Sequence, residues 1–378
     1  MTIDIIREEK DLGRYFYVTY DVESKTTVYE VAWGIAVGQS IGNPSKRSVW
    51  ETPEMIESYC AKIIKSDNFE KKKGLVTIGY PNENIDWATD GIAQLLCIIQ
   101  GGQTDIDIIK KCRVVGLEIH PQVLDTHFKK PAHGITGMRQ FTQHYGKPFF
   151  GGIIKPKTGI TPQNLLDMTK ELVDGGVNFI KEDEILSNPN ICRLQDRVEL
   201  ISNYIQGKNV VYCFCINADT EHVVNRAKFV AQNGGNGVHI NIWSGLGSYR
   251  SIRNQDLGLF IHYQKSGDKV ITHKSNPFGI DWQILCQLAA MSGVDTIHSG
   301  MWGGYLSDTE EDINATFKVL HENNVVPALS CGMTAELIAP IHEKFGIDWM
   351  ANVGGSIHGD PNGTIAGARK IRNAIDLL

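Results

Sequence analysis

The sequence has no run of about 18 apolar residues, no excess of positive charge and no low-complexity tract. The first absence predicts no membrane-spanning helix. With 37 Lys and Arg against 43 Asp and Glu, the chain offers no basic field for nucleic acid or an anionic membrane. Its beginning, MTIDIIREEKDLG, is charged and lacks the apolar core of a signal peptide. We therefore expect a cytoplasmic protein with no nucleic-acid or membrane partner.

The eight cysteines are scattered, and no two of them form a CxxC pair. This spacing predicts neither a zinc ribbon nor a thiol redox motif. Cys213 and Cys215 alternate within VVYCFCIN, which is typical of a strand, so both thiols are expected on one face. We interpret them as buried, reduced thiols, with a soft-metal site as the alternative.

What the chain does have is length and apolar content. Its 378 residues, 42% of them hydrophobic and 21% charged, suit a barrel of about 250 residues with a smaller domain beside it. Over residues 1–127 strands and helices are mixed, which indicates an α+β domain of the ferredoxin-like kind. The strands predicted there are RYFYVTYDVES, GLVTIGYP and CRVVGLEIH.

In residues 128–378 strands and helices alternate regularly. Thr161 as N-cap, Pro162 at the first helical position and Gly175 at the end bound one of these helices clearly. Eight such strands predict an α/β fold of the (β/α)₈ TIM-barrel class. A helix is expected around Asn254–Gln264, before the fifth strand. The predicted strands are PFFGGIIKP, VNFIKEDE, NVVYCFCIN, GNGVHINIW, KVITHK, VDTIHSG, VVPALSCG and IDWMANVGG.

Charged residues crowd the end of the second predicted strand, in the sequence KEDE. Barrel enzymes carry their chemistry at this end of their strands. Asp183 and Glu184 offer hard oxygen ligands suited to Mg²⁺, and Lys181 shares a face with Asp183 if the strand persists. A protonated lysine repels a cation, whereas a lysine carbamylated by CO₂ becomes a third anionic oxygen ligand. The alternative is a solvated run of charge.

Other strand ends carry polar residues as well. Lys155 and Lys157 bracket a proline after strand one, and alternation brings at least one of them to the barrel mouth. Histidines that end neighbouring strands favour ligand contact over a purely structural role. The loops after strands seven and eight often bind phosphate through bare N–H groups, although glycine there is equally typical of a turn. These candidates are His273 with Lys274, His298, Ser330, Gly332, Gly354 and Gly355.

The segments GGIIKPKTGIT and GGVNFIKEDE resemble two signature segments of the RuBisCO large subunit. The resemblance continues in order through ITHK, DTIHSG, PALSCG and VGGSIHGDPNGTIAGAR. It implies that Lys181, carbamylated by CO₂, binds Mg²⁺ with Asp183 and Glu184, and that Lys155 is catalytic with Lys157 beside it. It also implies substrate contacts from His273, Lys274, His298 and Ser330, and a phosphate cradle formed by Gly332, Gly354 and Gly355.

The chain departs from the family pattern where CO₂ is handled. The loop after strand six reads SGMWGGYLSD, and Tyr305 stands where RuBisCO has a lysine that stabilises the carboxylated intermediate. A tyrosine is neutral at pH 7 and supplies no mobile cation. The chain thus resembles a form IV, RuBisCO-like protein that has lost carboxylation. The resemblance further implies a homodimer or an assembly of dimers.

Three functional hypotheses follow. In the first, Mg²⁺ assists enolisation of a phosphorylated keto-sugar, with Lys155 or the Lys181 carbamate as the base, giving an isomerase or tautomerase. In the second, the same site decarboxylates or cleaves a phosphorylated 3-oxo sugar acid, favoured by the cationic Lys274 and by His298. Met301 and Trp302 favour an apolar substrate group instead. In the third, the chain is a non-catalytic binding protein that kept the fold.

Overall fold

The computed structural model describes residues 4–306 and 308–378. They form two compact units. The first runs to Phe128 and includes Gly267–Leu288, and the second consists of Lys129–Ser266 and Ala289–Leu378. The segment Gly267–Leu288 therefore belongs with the N-terminal part, although it lies inside the range 128–378 that the sequence assigns to the barrel.

The N-terminal part of the first unit alternates strands and helices. Helix α1 (Val28–Gly38) begins at Thr27, whose side chain accepts a hydrogen bond from the Glu30 N–H, a typical N-cap. The other elements in chain order are β1 (Ile6–Arg7), β2 (Tyr15–Ser24), α2 (Pro53–Tyr59), β3 (Lys62–Ile64), β4 (Lys73–Pro81), α3 (Gly91–Ile99), β5 (Ile109–Glu118) and α4 (Pro121–His127).

The rest of the chain supplies the barrel and the segment that returns to the first unit. These elements repeat the strand–helix pattern expected from the sequence. They are α5 (Gly134–Thr142), β6 (Phe149–Ile153), α6 (Pro162–Asp174), β7 (Phe179–Lys181), α7 (Leu194–Ile205), β8 (Val211–Cys215), α8 (Thr220–Gln232), β9 (Gly237–Asn241), α9 (Leu246–Arg253), β10 (Phe260–Gln264), α10 (Lys269–Thr272), β11 (Phe278–Ile280), α11 (Trp282–Met291), β12 (Thr296–Gly300), α12 (Glu310–Glu322), β13 (Val326–Leu329), α13 (Ala335–Phe345), β14 (Met350–Val353), α14 (Gly355–His358) and α15 (Thr364–Asp376).

The first unit is organised by one sheet with strand order β1-β3-β4-β2-β5-β11. β2 pairs antiparallel with β4 on one side and with β5 on the other. The connection β2-α1-β3-β4-α3-β5, in which each helix crosses between strands, is that of a ferredoxin-like domain. The smaller α+β domain predicted ahead of the barrel is confirmed.

Strand β11 extends this sheet, and a buried arginine holds the segment that carries it. β11 pairs parallel with β5. Arg113 of β5 is buried, and its guanidinium donates to Asp281 at 2.7 and 3.0 Å and to the carbonyl oxygens of Thr272, His273 and Asn276. One side chain therefore satisfies several backbone carbonyls of the segment.

Replacing Arg113 by leucine is expected to destabilise the first unit by about 2–4 kcal/mol, because Asp281 and three carbonyls lose a charged donor. Urea unfolding measures the loss. Lys110→Leu, at an exposed position of the same strand, is the matched control and is expected to change stability by less than about 0.5 kcal/mol. Equal effects of the two substitutions would contradict the assigned role.

In the second unit eight parallel strands close into a barrel, in the order β6-β7-β8-β9-β10-β12-β13-β14 and back to β6. One layer of side chains inside the barrel is apolar, because alternate residues of the strands point inward and pack together. The predicted TIM barrel is confirmed. The buried residues of this core are Met138, Phe149, Phe179, Val211, Cys213, Phe260, Val326, Ala328 and Met350.

The predicted fifth strand is wrong. KVITHK contains the helix α10, in which the Thr272 hydroxyl donates to Asp268 at 2.6 Å, and strand five is β10. The predicted helix around Asn254–Gln264 is also wrong. The helix α9 ends at Arg253, and Phe260–Gln264 form the strand β10. The inward positions of β10 include His262 and Gln264 beside apolar neighbours, so the strand lacks the uninterrupted apolar pattern that predicts a buried strand.

Two further predictions concern the thiols and membrane-spanning helices. All eight thiols are free, and Cys213 and Cys215 are buried in β8. No helix within residues 4–306 and 308–378 is long and apolar enough to cross a membrane.

Candidate active site

A cavity of about 350 Å³ opens at the C-terminal ends of the barrel strands. This is the end at which TIM-barrel enzymes carry their chemistry. Its volume suits a small-molecule ligand. The polar side chains that line it are Lys155, Lys157, Lys181, Asp183, Glu184, Gln264, Ser266, His298, Tyr305, Ser330, Cys331, Asn352 and Ser356.

The end of β7 divides its charged residues between two faces. Glu182 points away from the cavity and is fully buried against Arg197 of α7, with Oε1 accepting from Nε at 2.8 Å. Its carboxylate also accepts from the Cys215 N–H at 2.6 Å and from the Tyr212 hydroxyl at 3.2 Å. Because side chains alternate along the strand, this anchoring turns Lys181 and Asp183 toward the cavity.

Lys181 is a buried amine in acidic surroundings. The residue is 2% exposed, and its Nζ lies 3.8 Å from Glu184 Oε2. Burial lowers the pKa of Lys181, although Glu184 and Asp183 act in the opposite direction. A lowered pKa enlarges the fraction of neutral amine, which is the form that reacts with CO₂.

The donor set would fit a hard divalent cation if Lys181 were carbamylated. Asp183 and Glu184 would supply two carboxylates and the carbamate a third oxygen donor, and Mg²⁺ prefers oxygen ligands of this kind. In the part of the chain that the structure describes, no three His, Cys, Asp or Glu side chains are grouped so as to hold a metal ion. The three-ligand set predicted here differs from such groups because one member is a modified lysine.

Two lysines from the loop after β6 surround Asp183. Lys155 Nζ donates to Asp183 Oδ2 at 2.6 Å, and Lys157 Nζ lies 3.9 Å from the same oxygen. Burial raises the pKa of Asp183, but the hydrogen bond and charge of Lys155, with the charges of Lys181 and Lys157, bring it below its ordinary value. Asp183 is therefore held as a carboxylate with Lys155 directly against it.

The three glycines that the sequence predicts as a backbone cradle, Gly332, Gly354 and Gly355, line the cavity. Gly354 precedes the short helix α14, and a Cβ there would stand 3.4 Å from Lys155 Cε. Gly332 has φ +105°, and a Cβ there would meet the Tyr305 nitrogen at 2.8 Å. Gly355 opens the first turn of α14, where N–H groups lack partners within the helix. Bare N–H groups and an adjacent ammonium suit an anion such as phosphate.

At the other side of the cavity His298 is held between two side chains. The Gln264 amide donates to His298 Nδ1 at 3.2 Å, so Nε2 carries the proton and donates to Ser330 Oγ at 2.7 Å. Burial lowers the pKa of His298 well below its ordinary value, and the positive charges of Lys265 and Lys181 add to this. His298 thus presents a neutral imidazole at physiological pH.

Most of the residues singled out in the sequence line this one cavity. The structure brings together Lys155, Lys157, Lys181, Asp183, Glu184, His298, Ser330, Gly332, Gly354 and Gly355. His273 and Lys274 belong to the first unit and are not among the lining residues. They were assigned as ends of the fifth strand, and that basis is wrong because β10 ends at Gln264.

Sequence reasoning missed four polar residues of the cavity: Gln264, Ser266, Asn352 and Ser356. Gln264 ends the true fifth strand, so a correct assignment of FIHYQ would have found it. Asn352 lies two residues before Gly354 in β14 and shares its inward face. The sequence signal for Asn352 is its position two residues before the predicted cradle residue Gly354, which places both residues on one face.

Comparison with known proteins agrees with this geometry. The chain matches the family model described as ribulose bisphosphate carboxylase large chain, catalytic domain, over residues 134–378, and the N-terminal domain model of the same chain over residues 3–123. The protein is a TIM-barrel chain with a cluster of lysines and carboxylates at the barrel mouth. It belongs to the RuBisCO large-chain family.

Its relatives include both carboxylases and RuBisCO-like proteins. Ribulose bisphosphate carboxylase of Pyrococcus furiosus is 30% identical over 92% of this chain and 84% of its own length. An uncharacterized ribulose bisphosphate carboxylase-like protein of Bordetella bronchiseptica is 27% identical over 95% of this chain and 91% of its own. The octameric Rubisco of Pyrococcus horikoshii, solved with sulfate ion, is similar at a TM-score of 0.89 and 27% identity, covering 99% of this chain and 90% of that one.

Proposed function

We propose that the protein is a RuBisCO-like, Mg²⁺-dependent enzyme that enolises a phosphorylated keto-sugar and does not fix CO₂. The observation that carries this proposal is the convergence of Lys181, Asp183 and Glu184 at one wall of the cavity, with Lys155 against Asp183. The cofactor proposed is Mg²⁺ with Lys181 carbamylated by CO₂. A homodimer or an assembly of dimers is proposed with it, supported by the octameric relative.

Each group has a role in this proposal. Bound Mg²⁺ supplies Lewis-acid stabilisation of the negative charge that develops on substrate oxygens. An oxygen of the Lys181 carbamate would take the proton from the carbon beside the carbonyl and return it to the neighbouring carbon, because Lys155 is itself an ammonium that donates to Asp183. Lys155, drawn off Asp183 when substrate enters, would donate from Nζ to the substrate oxygen. Lys157 and the backbone at Gly332, Gly354 and Gly355 bind the phosphate. Substrate hydroxyls meet Ser330 and the neutral imidazole of His298.

The loop after β12 supports the absence of carboxylation. Residues 301–309 contain no lysine. Tyr305 from this loop lines the cavity and is 79% exposed. A tyrosine phenol is neutral at pH 7. The cation that a carboxylated intermediate needs is not supplied from this loop.

The second hypothesis, decarboxylation or C–C cleavage of a phosphorylated 3-oxo sugar acid, has less support from the cavity than the first. It relied on Lys274 and a charged His298 to hold a second anion. Lys274 does not line the cavity, and the pKa of His298 is lowered by burial. On this side the cation that acts on His298 is Lys265.

The test is to follow two reactions in D₂O, with Mg²⁺ and bicarbonate present. Ribulose 1-phosphate and ribulose 5-phosphate are expected to exchange the hydrogen beside the carbonyl for deuterium, seen by NMR. Removing Mg²⁺ with EDTA should slow exchange by at least about 10³-fold. Ribulose 1,5-bisphosphate with ¹⁴CO₂ is expected to yield no fixed label. Release of CO₂ from a phosphorylated 3-oxo acid without any exchange would select the second hypothesis instead.

A further inference from the structure

One buried side chain of the cavity has no protein partner. Asn352 of β14 is 1% exposed and lines the cavity, yet neither its Oδ1 nor its Nδ2 has a hydrogen-bond partner in the structure. A buried amide that stays unpaired costs about 1–3 kcal/mol. Because both atoms are unsatisfied, exchanging the oxygen and nitrogen of the amide does not remove the cost. The cavity itself is where a partner has to lie.

The neighbouring strand makes room for this amide. Gly151 of β6 lies beside Asn352 in the strand register, and a Cβ at residue 151 would stand 2.8 Å from Asn352 Oδ1. Met350 and Asn352 of β14, and Gly354 just after the strand, take alternate positions on the inward side. Met350 belongs to the apolar barrel core and Gly354 to the backbone cradle. Asn352 therefore sits between the core and the cradle, at the floor of the cavity.

The two unpaired atoms of Asn352 restrict the kind of ligand that can satisfy them. They are one acceptor, Oδ1, and one donor, Nδ2. A phosphate or carboxylate only accepts hydrogen bonds and would leave the amide oxygen unsatisfied. A hydroxyl both donates and accepts.

We propose that Asn352 determines substrate specificity by binding an uncharged hydroxyl group of the substrate chain. The inference deepens the proposed function and rests on it for the phosphate placed at the glycine cradle. The substrate class is then a polyhydroxylated chain with a phosphate at the cradle and a neutral, hydroxyl-bearing segment over Asn352.

Two probes of equal length isolate this contact. Ribitol 5-phosphate carries hydroxyls along its chain, whereas pentyl phosphate has the same length and none. Isothermal titration calorimetry of the protein with Mg²⁺ and bicarbonate is expected to show ribitol 5-phosphate binding more tightly. Asn352→Leu keeps the branched shape of the side chain and removes its polar atoms. It should weaken ribitol 5-phosphate by about 10- to 100-fold and leave pentyl phosphate within about twofold.

Asn323→Leu, at an exposed position, is the control and should preserve the preference for ribitol 5-phosphate. Absence of that preference in the wild type, or its survival in Asn352→Leu, overturns the proposal and leaves the amide with an ordered water only. Asn352→Ala gives the same readout if the leucine variant does not fold. A preference that depends on Asn352, in a protein that exchanges no substrate hydrogen, would reject the enolase proposal and keep this one.

Discussion

Replacing Lys181 by alanine should reduce enolisation by at least about 10³-fold, which corresponds to about 4 kcal/mol of lost transition-state stabilisation. The substitution removes the third oxygen donor that carbamylation would provide and leaves Asp183 and Glu184 without it. Lys155 Nζ lies 2.6 Å from Asp183 Oδ2. In the variant this lysine is expected to stay paired with the Asp183 carboxylate, because no bound Mg²⁺ competes for it. Deuterium exchange into the substrate, followed by NMR, measures the loss.

The same variant carries a readout that does not depend on knowing the substrate. With ¹³C-labelled bicarbonate and Mg²⁺, the wild type should show one carbamate resonance that Lys181→Ala lacks. Lys208→Ala is the matched control, because Lys208 is an exposed lysine over the Tyr204 ring. It should keep both the resonance and the exchange rate. Exchange that survives in Lys181→Ala would contradict the metal-site proposal.

The sequence predicts the part of this site that depends on charge and on strand alternation. The run Lys181–Glu184 begins at the last residue of a recognisable strand, and a period of two correctly separates Lys181 and Asp183 from Glu182. The glycines after β13 and β14 are visible for the same reason, because backbone requirements restrict the residue type. Charged residues and glycines therefore predict site positions from the sequence without knowledge of the packing.

Neutral amides give no such prediction. Glutamine and asparagine are typical of an exposed surface, and only the closed barrel shows that Gln264 and Asn352 are buried at the cavity. The fifth strand fails for a related reason. The histidine and glutamine on the inward side of β10 give that strand a polar pattern. The β-branched residues of KVITHK are typical of a strand, but in the structure they belong to the helix α10. Tertiary context overrode local propensity at both places.

Replacing Arg197 by alanine should destabilise the barrel by about 3–5 kcal/mol, because it leaves the Glu182 carboxylate buried without its cation. Both side chains are fully buried, and Arg197 also donates to the carbonyl oxygens of Cys192, Ser187 and Cys215. The midpoint of urea unfolding is the measurement. Arg226→Ala is the control, since Arg226 is half-buried and bonds only Ser187 and Asn217 among the partners that the structure shows; it should cost about 1 kcal/mol.

A paired replacement separates charge from packing. Arg197→Met combined with Glu182→Leu removes both charges and should recover much of the stability lost in Arg197→Ala, since two apolar side chains carry no desolvation penalty. Deuterium exchange should nevertheless stay below the wild-type rate. Glu182 fixes the end of β7 through the Cys215 N–H as well as through Arg197, and leucine keeps neither bond. Recovery of stability together with full activity would show that the ion pair holds the barrel without orienting Lys181 and Asp183.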